Sequence, residues 1–258
     1  RVNSFQERTA KALREAIERL FAKGMKALVL DLRLNGGGLL EEAIACANLF
    51  VRKGPIVSTR GRNEEDNRIE VAHPDKALAE FPMAVLVNEW SASASEILAG
   101  ALKDHKRAVV VGVRTYGKGS VQTMIPLPGE DCAVKLTTAR YFTPSGRCID
   151  KRFLRSQAEL ESVPPEKRDE LRRGLEEYGI APDLEVPLAA DKMADLMTSF
   201  QDAVLRPPKK NGDGTVETPA EEPKDEGPKD GKEPFQDVQM IRAVDALKAI
   251  LVLQPEKK

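Results

Sequence analysis

The chain has 258 residues, of which 41% are hydrophobic and 31% are charged, and its formal net charge is −1 at pH 7. This composition is typical of a globular region with one substantial core, and the balanced charge does not indicate nucleic acid as a partner. No apolar run reaches the roughly 18 to 20 residues that cross a bilayer. Three cysteines at unpatterned spacings argue against a disulfide framework or a zinc site.

The first part of the chain alternates between helical and strand-like segments. Apolar residues at spacings of three and four predict a helix over residues 9–23, which Gly24 ends. Strands are predicted at the apolar runs 27–32, 56–59, 83–87 and 108–113, a charged loop at 60–66, and further helices at 39–50 and 93–103. This order predicts an α/β fold with a largely parallel sheet.

The later part of the chain is more varied. Residues 120–127 and 133–146 have strand-like patterns, and the second ends in a Pro-Ser-Gly turn. A strongly charged helical insertion is predicted near residues 151–178. Residues 205–234 are rich in Pro, Gly and charged side chains, so we expect a disordered loop that cannot bury enough apolar surface to order itself. Residues 237–253 predict a closing amphipathic helix.

Residues 88–102, NEWSASASEILAGAL, follow a predicted buried strand and combine three serines with small neighbours. Ser93 and Glu96 fit a capping box, in which the serine is the N-cap of the next helix. Ser93 also fits a nucleophile, because ligand sites form at the ends of strands and small neighbours let a substrate backbone approach. The helix start would offer the Ala94 N–H to a developing oxyanion.

A serine nucleophile needs a base, and the two histidines are poorly placed to provide one. His73 lies in a loop and His105 in a charged turn, so both are expected to be surface residues. The remaining candidate is Lys118, which stands between Gly117 and Gly119 directly after a predicted buried strand. A lysine acts as a base only where apolar burial favours the neutral amine.

Two further interpretations concern the same glycine turn. Gln122, four residues after Lys118, could hold the lysine amine by hydrogen bonding, although the lysine could equally be a solvated residue of the turn. Gly112-x-x-x-x-Gly117-Lys118 also matches most of a phosphate-binding loop. Gly119 stands where that motif needs Ser or Thr, and a strand-like pattern follows instead of a helix, so nucleotide binding is not favoured.

Three blocks of the sequence carry a family resemblance: LVLDLRLNGGGLLEEAIACANLFV, VNEWSASASEILAGALKDHKRAVVVGVRTYGKGSVQ and KLTTARYFTPSGRCID, with a weaker likeness in GIAPDLEVPL. They resemble the carboxyl-terminal processing proteases, also called tail-specific proteases, which are serine peptidases with a Ser-Lys dyad. The resemblance covers most of residues 1–150. It implies a crotonase- or Clp-protease-like ββα core, closed here by the C-terminal helix.

The resemblance also implies roles for individual residues. Ser93 would be the nucleophile, Lys118 the base and Gln122 a supporting residue. The oxyanion hole would consist of the Ala94 N–H and a backbone N–H of the glycine loop, assigned to Gly37. The chemistry implied is peptide hydrolysis through an acyl-enzyme, with no metal or organic cofactor.

The implied domain organisation is a peptidase core over residues 1–204, the loop 205–234, and a helix within 235–258 that packs on the core. Members of the family place a peptide-binding PDZ domain before the catalytic region. No such module is recognisable here and the chain begins at Arg1, so we expect a fragment without its N-terminal and PDZ regions.

The resemblance implies protein or peptide substrates with non-polar C-terminal tails, and no nucleic acid. It implies a periplasmic or other extracytoplasmic location, with membrane anchorage through a missing N-terminal segment. Homo-oligomerisation and regulation by a PDZ domain in the full-length chain are further expectations of the same resemblance.

Two positions depart from the family pattern. Trp90 stands where the family favours glycine, and its indole is expected to narrow or block the cleft. Asn35-Gly36 replaces the usual Asn-Pro, so a looser glycine loop is expected. Two other classes of function stay open, namely a catalytically silent peptide-binding scaffold and a crotonase-like acyl-thioester enzyme, which would not need Ser93 and Lys118 together.

Overall fold

We describe a computed structural model of the chain, which covers residues 1–129, 132–151, 161, 164, 168, 178–205 and 235–253. The chain forms two compact units, one of Arg1–Val186 with Gln239–Lys258 and one of Pro187–Val238. The predicted charged insertion and the predicted loop over residues 205–234 lie almost entirely outside the described residues. The first unit contains every candidate site residue.

The elements in chain order are α1 (Thr9–Ala22), β1 (Leu28–Asp31), α2 (Leu40–Asn48), β2 (Pro55–Gly61), β3 (Arg68–Val71), β4 (Met83–Val87), α3 (Ala94–Asp104), β5 (Val109–Gly112), β6 (Ser120–Pro126), β7 (Ala133–Phe142), β8 (Leu184–Glu185), α4 (Ala190–Leu205) and α5 (Val238–Leu253). Two short 3₁₀ turns lie at Glu64–Asp66 and Pro74–Lys76. The predicted α/β class is confirmed.

A parallel sheet with the strand order β1-β4-β5-β8 forms the centre of the first unit. All five residues of β4 are buried. Val85 and Val87 pack with Leu98 of α3 on one face, whereas Leu86 packs with Leu247 of α5 on the other. Both faces are covered, which explains why these strands are continuous apolar runs rather than alternating ones.

A second, antiparallel sheet has the strand order β3-β2-β7-β6. The predicted strands over residues 120–127 and 133–146 form its β6–β7 hairpin, whose register begins with Ser120 opposite Arg140. Strand β3 has no counterpart among the predicted elements. All four of its residues are exposed, and its alternation of polar and apolar residues spans only four positions, so the pairing with β2 defines it.

Helix α5 contacts the parallel sheet through buried hydrogen bonds as well as through apolar side chains. Arg33, 1% exposed, forms an ion pair with Asp31 at 2.7 Å and donates from Nη1 to Gln239 Oε1 at 3.1 Å. Gln239 Nε2 donates in turn to the Val186 carbonyl oxygen at 2.7 Å. This helix closes one face of the sheet, and its sequence periodicity alone indicated it.

Helix α4 and strand β8 were not among the predicted elements. Strand β8 has only two residues, both exposed, and pairs with β5 at Val111 and Gly112. Helix α4 lies within the second unit, which begins at Pro187, before the predicted end of the peptidase core at residue 204. None of the helices in the described ranges is both long and apolar enough to cross a membrane.

Replacing Leu247 by Ala should destabilise the first unit by about 2–4 kcal/mol, because this 4%-exposed side chain fills the contact between α5 and the sheet. Urea unfolding measures the change. Leu253→Ala, at an 81%-exposed position of the same helix, is the matched control and should change stability by less than about 0.5 kcal/mol. Equal effects of the two substitutions would contradict the packing of α5 described above.

Thiol reactivity provides an independent test of the core. Cys46 is fully buried, and this burial raises the pKa of its thiol to about 12, whereas Cys132 is exposed. Because the thiolate is the reactive form, iodoacetamide near neutral pH should modify Cys132 in the folded protein and Cys46 only after unfolding. Mass spectrometry of the digested protein reads each site, and rapid alkylation of Cys46 in the folded state would contradict the burial.

Candidate active site

Three loops meet at one edge of the parallel sheet. Strands β1, β4 and β5 are neighbours and run in the same direction, so the segments that follow them leave the sheet on the same side. The ladder continues briefly beyond the strands, since Leu32 N donates to Leu86 O and Val113 N donates to Val87 O. The glycine loop (residues 32–39), the serine loop (88–93) and the lysine loop (113–119) are thereby brought together.

The structure distinguishes the three serines of the NEWSASAS stretch. Ser91 and Ser95 are fully buried, and their hydroxyl groups donate to the carbonyl oxygens of Leu32 at 2.9 Å and Asn35 at 2.8 Å. Both hydroxyls therefore hold the serine loop against the glycine loop. Ser93 is only half-buried, so it is the serine that a ligand can reach.

The backbone of Ser93 is strained. Its φ of 56° and ψ of −115° lie in a region that residues with a side chain rarely adopt, at a cost of about 1–3 kcal/mol. Ser93 is the N-cap of α3 and shares a capping box with Glu96, in which Ser93 N donates to Glu96 Oε2 at 2.8 Å. The predicted capping role and the strained, accessible position thus occur together.

Gly37 lies directly against the serine. A Cβ built on Gly37 would come within 2.9 Å of both Ala92 O and Ser93 Cβ and within 3.2 Å of Ala94 N, and its φ of 108° also excludes most side chains. Only a glycine lets the two loops approach this closely. The first N–H of α3 and the glycine loop therefore border the same space beside Ser93.

The expectation of a loose glycine loop is wrong. Asn35 is fully buried, its Nδ2 donates to Val2 O at 2.9 Å, and its Oδ1 accepts from Gly37 N at 2.9 Å. Its own carbonyl oxygen accepts from Ala92 N and from the Ser95 hydroxyl. These bonds fix the loop on both sides, so the absence of proline does not leave it free.

The candidate oxyanion donors differ in their availability. In the described part of the chain, the Ala94 N–H has no acceptor, as expected for the first N–H of a helix. The Gly37 N–H is already bound to Asn35 Oδ1. Gly37 O accepts from Phe5 N, and the peptide bond is trans, so the Gly38 N–H points away from Phe5.

The lysine loop is attached to the start of α3 through one carboxylate. Glu96 is fully buried, and its Oε1 accepts from Thr115 Oγ1 and from Gly117 N, both at 2.6 Å. Its Oε2 accepts from Lys118 N at 2.8 Å as well as from Ser93 N. Burial raises the pKa of Glu96, while the four donated hydrogen bonds oppose the rise. The backbones of Ser93 and Lys118 are therefore held by the same oxygen atom.

The side chains of Lys118 and Gln122 are both exposed. No ion pair or hydrogen bond joins Lys118 Nζ to any described residue, so the apolar burial expected for this amine is not found. Gln122 Nε2 makes a long contact of 3.5 Å with Thr137 Oγ1 on the neighbouring strand, rather than a hydrogen bond with Lys118. The roles of these two side chains stay predictions.

The other sequence candidates lie elsewhere. His73 is exposed, as expected, whereas His105 is half-buried and its Nε2 lies 2.7 Å from Pro55 O. The amides of Gly117 and Lys118 face the Glu96 carboxylate, and a strand follows at Ser120, so the phosphate-loop interpretation has no structural basis. Trp90 is 54% exposed. Across the described residues, no cluster of His, Cys, Asp or Glu could hold a metal ion.

Two buried residues that shape the site were not singled out by the sequence. The capping-box pattern indicated Glu96 only as a partner of Ser93, because its contacts with Thr115, Gly117 and Lys118 join segments about twenty residues apart. Asn35 appeared only as part of a glycine-rich loop. Buried polar side chains whose partners are distant in sequence carry no local signal.

The sequence profile of Peptidase family S41 matches residues 1–159. A carboxy-terminal-processing protease of Bartonella bacilliformis is 48% identical over 171 residues, which are 65% of this chain and 39% of that protein. A probable CtpA-like serine protease of Staphylococcus aureus is 36% identical over 162 residues, 62% of this chain and 32% of that protein. The chain thus spans less than half the length of these relatives.

Solved structures agree with this assignment. The photosystem II D1 C-terminal processing protease is 34% identical, with a TM-score of 0.57, and covers 72% of this chain and 41% of its own. Mature CPAF, at 15% identity and a TM-score of 0.53, covers 79% of this chain and 50% of its own, which shows a shared fold. The chain belongs to Peptidase family S41, and the resemblance to the carboxyl-terminal processing proteases is confirmed, as is the Clp-protease-like α/β core.

Gly37→Ala should destabilise the chain by about 1–3 kcal/mol, because the new Cβ would meet Ala92 O and Ser93 Cβ at a positive φ. Gly36→Ala is the matched control, since a Cβ there has no neighbour within 4 Å. Its effect should stay below about 0.5 kcal/mol in urea unfolding. If the two substitutions cost the same, the close approach of the glycine and serine loops would be wrong.

Proposed function

We propose that the chain is the catalytic part of a serine endopeptidase that cleaves C-terminal regions of proteins with Ser93 as nucleophile and Lys118 as general base. One observation carries the proposal. Ser93 is half-buried, whereas Ser91 of the same loop is fully buried, and the backbone N–H groups of Ser93 and Lys118 donate to the same oxygen, Glu96 Oε2. Membership of Peptidase family S41 supports the reaction class.

The chemistry is an acyl transfer in two halves. The neutral Lys118 amine takes the Ser93 hydroxyl proton as Oγ attacks the scissile carbonyl carbon. The resulting ammonium gives this proton to the leaving amine nitrogen as the C–N bond breaks, which leaves an acyl-serine. A water molecule then attacks the ester while Lys118 removes its proton, and returning that proton to Ser93 Oγ releases the acid and restores the enzyme.

The oxyanion is stabilised by backbone N–H groups at the start of α3 and in the glycine loop. Ala94 supplies the first donor, because its N–H meets no acceptor in the described residues and lies at the positive end of the helix dipole. We assign the second donor to Gly38 in place of Gly37, because the Gly37 N–H is bound to Asn35 Oδ1. A donor of this kind contributes about 3–4 kcal/mol in a comparable protease.

The exposed amine of Lys118 needs a drier environment to act as a base. An extended peptide bound between the serine and lysine loops would cover the amine and exclude water from it. In this proposal, the bound substrate supplies the apolar cover that proton transfer to Lys118 requires. Gln122 would then hold the amine, once its side chain leaves the long contact with Thr137.

The relatives suggest the substrate class. A relative with 48% identity is named a carboxy-terminal-processing protease, which supports substrates cleaved near their carboxyl ends. Non-polar C-terminal tails, an extracytoplasmic location and control by a PDZ domain or by homo-oligomerisation remain parts of the proposal for the whole protein. Trp90, which lies in the serine loop and is more than half exposed, offers an apolar surface to such a tail.

A second candidate is a peptide-binding scaffold without catalysis. The observation that favours it is the resting geometry: Lys118 is exposed and the Gly37 N–H is occupied by Asn35. An acyl-thioester enzyme would use the same paired N–H groups but not the dyad. The three functions differ in which side chains their activity needs.

Ser93→Ala and Lys118→Ala should each lower the rate of cleavage of a quenched fluorescent peptide by at least about 1,000-fold, since each removes a reacting group. Lys118→Arg should be equally inactive, because a guanidinium is not a base at neutral pH. Ser95→Ala is the matched control. It should lose about 1 kcal/mol of stability, because it removes one of the two donors to Asn35 O and leaves the Ala92 N–H bond in place, yet retain cleavage at a temperature where it is folded.

Other outcomes would select the other functions. Tail peptide that binds without cleavage, and binds equally to both alanine variants, would favour the scaffold. Thioester turnover that survives both substitutions would favour the acyl-thioester enzyme. Cleavage that survives Ser93→Ala would exclude the proposed nucleophile.

A further inference from the structure

The Glu96 carboxylate has no place in the reaction steps above, although it is fully buried between the two loops that carry Ser93 and Lys118. It accepts four hydrogen bonds, two on each oxygen. We infer that Glu96 is a positioning residue that sets the separation of nucleophile and base. This inference rests on the proposed Ser-Lys mechanism, because it assigns Glu96 no contact with the substrate.

The hydrogen-bond pattern requires a carboxylate. Three of the four partners are backbone N–H groups, which only donate. The fourth, Thr115 Oγ1, accepts from Ile180 N at 2.7 Å, which leaves its hydrogen for Glu96 Oε1 at 2.6 Å. A protonated acid or an amide would place its own hydrogen against one of these donors. Only the ionised form satisfies all four, and charge-assisted bonds of this kind are the strong ones.

The carboxylate also maintains the strained geometry of Ser93. The bond from Ser93 N to Oε2 fixes the residue whose φ of 56° is unfavourable, while the bond from Lys118 N to the same oxygen fixes the base. A further bond between the two loops, from Tyr116 N to Ser91 O, does not involve either reacting residue. Without the carboxylate, each loop could relax independently, and proton transfer would lose its alignment.

The test compares Glu96→Gln, Glu96→Asp and the wild type by peptide cleavage and by the rate at which a fluorophosphonate labels Ser93. Glu96→Gln keeps the shape but replaces one acceptor by a donor, so kcat should fall about 100-fold with KM little changed. Glu96→Asp keeps the charge on a shorter arm and should recover part of that loss. Labelling should fall in parallel with kcat.

The chain offers a matched control in Glu42. Its two carboxylate oxygens accept from Arg8 N at 3.0 Å and Ala10 N at 2.8 Å, so it also joins two segments through backbone amides, but at the start of α1. Glu42→Gln should reduce stability and leave kcat and the labelling rate unchanged. An equal loss of kcat in Glu42→Gln would show that general destabilisation explains the effect, and the inference would be overturned.

Thr115 keeps the inference falsifiable if Glu96→Gln does not fold. Thr115→Val removes the hydroxyl donor to Oε1 and should lower kcat about 10-fold, whereas Thr115→Ser retains it and should keep near-normal activity. Equal activity of the two Thr115 variants, or unchanged kcat in a folded Glu96→Gln, would overturn the positioning role.

Amide hydrogen exchange separates this inference from the proposed function. In the wild type, the amides of Ser93, Gly117 and Lys118 should be protected, and in Glu96→Gln they should exchange at least about 10-fold faster while those of β4 do not. If the wild type neither cleaves peptide nor is labelled by the fluorophosphonate, the proposed function and the predicted effect of Glu96 on kcat both fail. Exchange unchanged by the substitution would instead overturn the carboxylate contacts, whether or not the chain cleaves peptides.

Discussion

Buried hydrogen bonds between loops are the interactions on which the site depends. The side chains that join the loops after β1, β4 and β5 are polar and fully buried: Asn35, Ser91, Ser95 and Glu96. Each bonds to the backbone of another segment or of its own loop. A buried polar group is costly unless it is paired, so these residues have few alternative positions. The loops are therefore as well defined as the strands that precede them.

The same constraint explains the small residues of the serine loop. Gly37 approaches Ser93 so closely that even a methyl group would collide with it, and the alanines on either side of Ser93 leave the backbone accessible to the glycine loop. Bulky side chains would separate the loops and break the bonds that join them. Trp90 is compatible with this arrangement because more than half of its surface faces solvent. The low bulk of the stretch is therefore a packing requirement as well as an allowance for substrate.

The sequence predicts those features that depend on neighbouring residues and misses those that depend on residues distant in the chain. Strands β1, β4 and β5 are buried on both faces and appear as apolar runs, and the position of Ser93 at a helix start is visible in four residues. Strands β3 and β8 have only four and two residues, too few for a clear periodicity, and their pairing with β2 and β5 defines them. The occupied Gly37 N–H depends on where the Asn35 side chain points, which no spacing reveals. Local patterns therefore indicated the candidate residues Ser93 and Lys118, whereas the bonds that hold their backbones together required coordinates.

The site thus combines a fixed backbone with a lysine side chain that lacks apolar surroundings. Glu96 and the start of α3 fix the backbone of Ser93, Ala94 and Lys118. Substrate binding therefore loses little conformational entropy in ordering these residues. The Lys118 side chain, by contrast, is exposed to water. A peptide laid across the loops would supply the missing desolvation without moving the backbone. In such an arrangement, the substrate completes the base, and an empty site has little reactivity towards water or unrelated proteins.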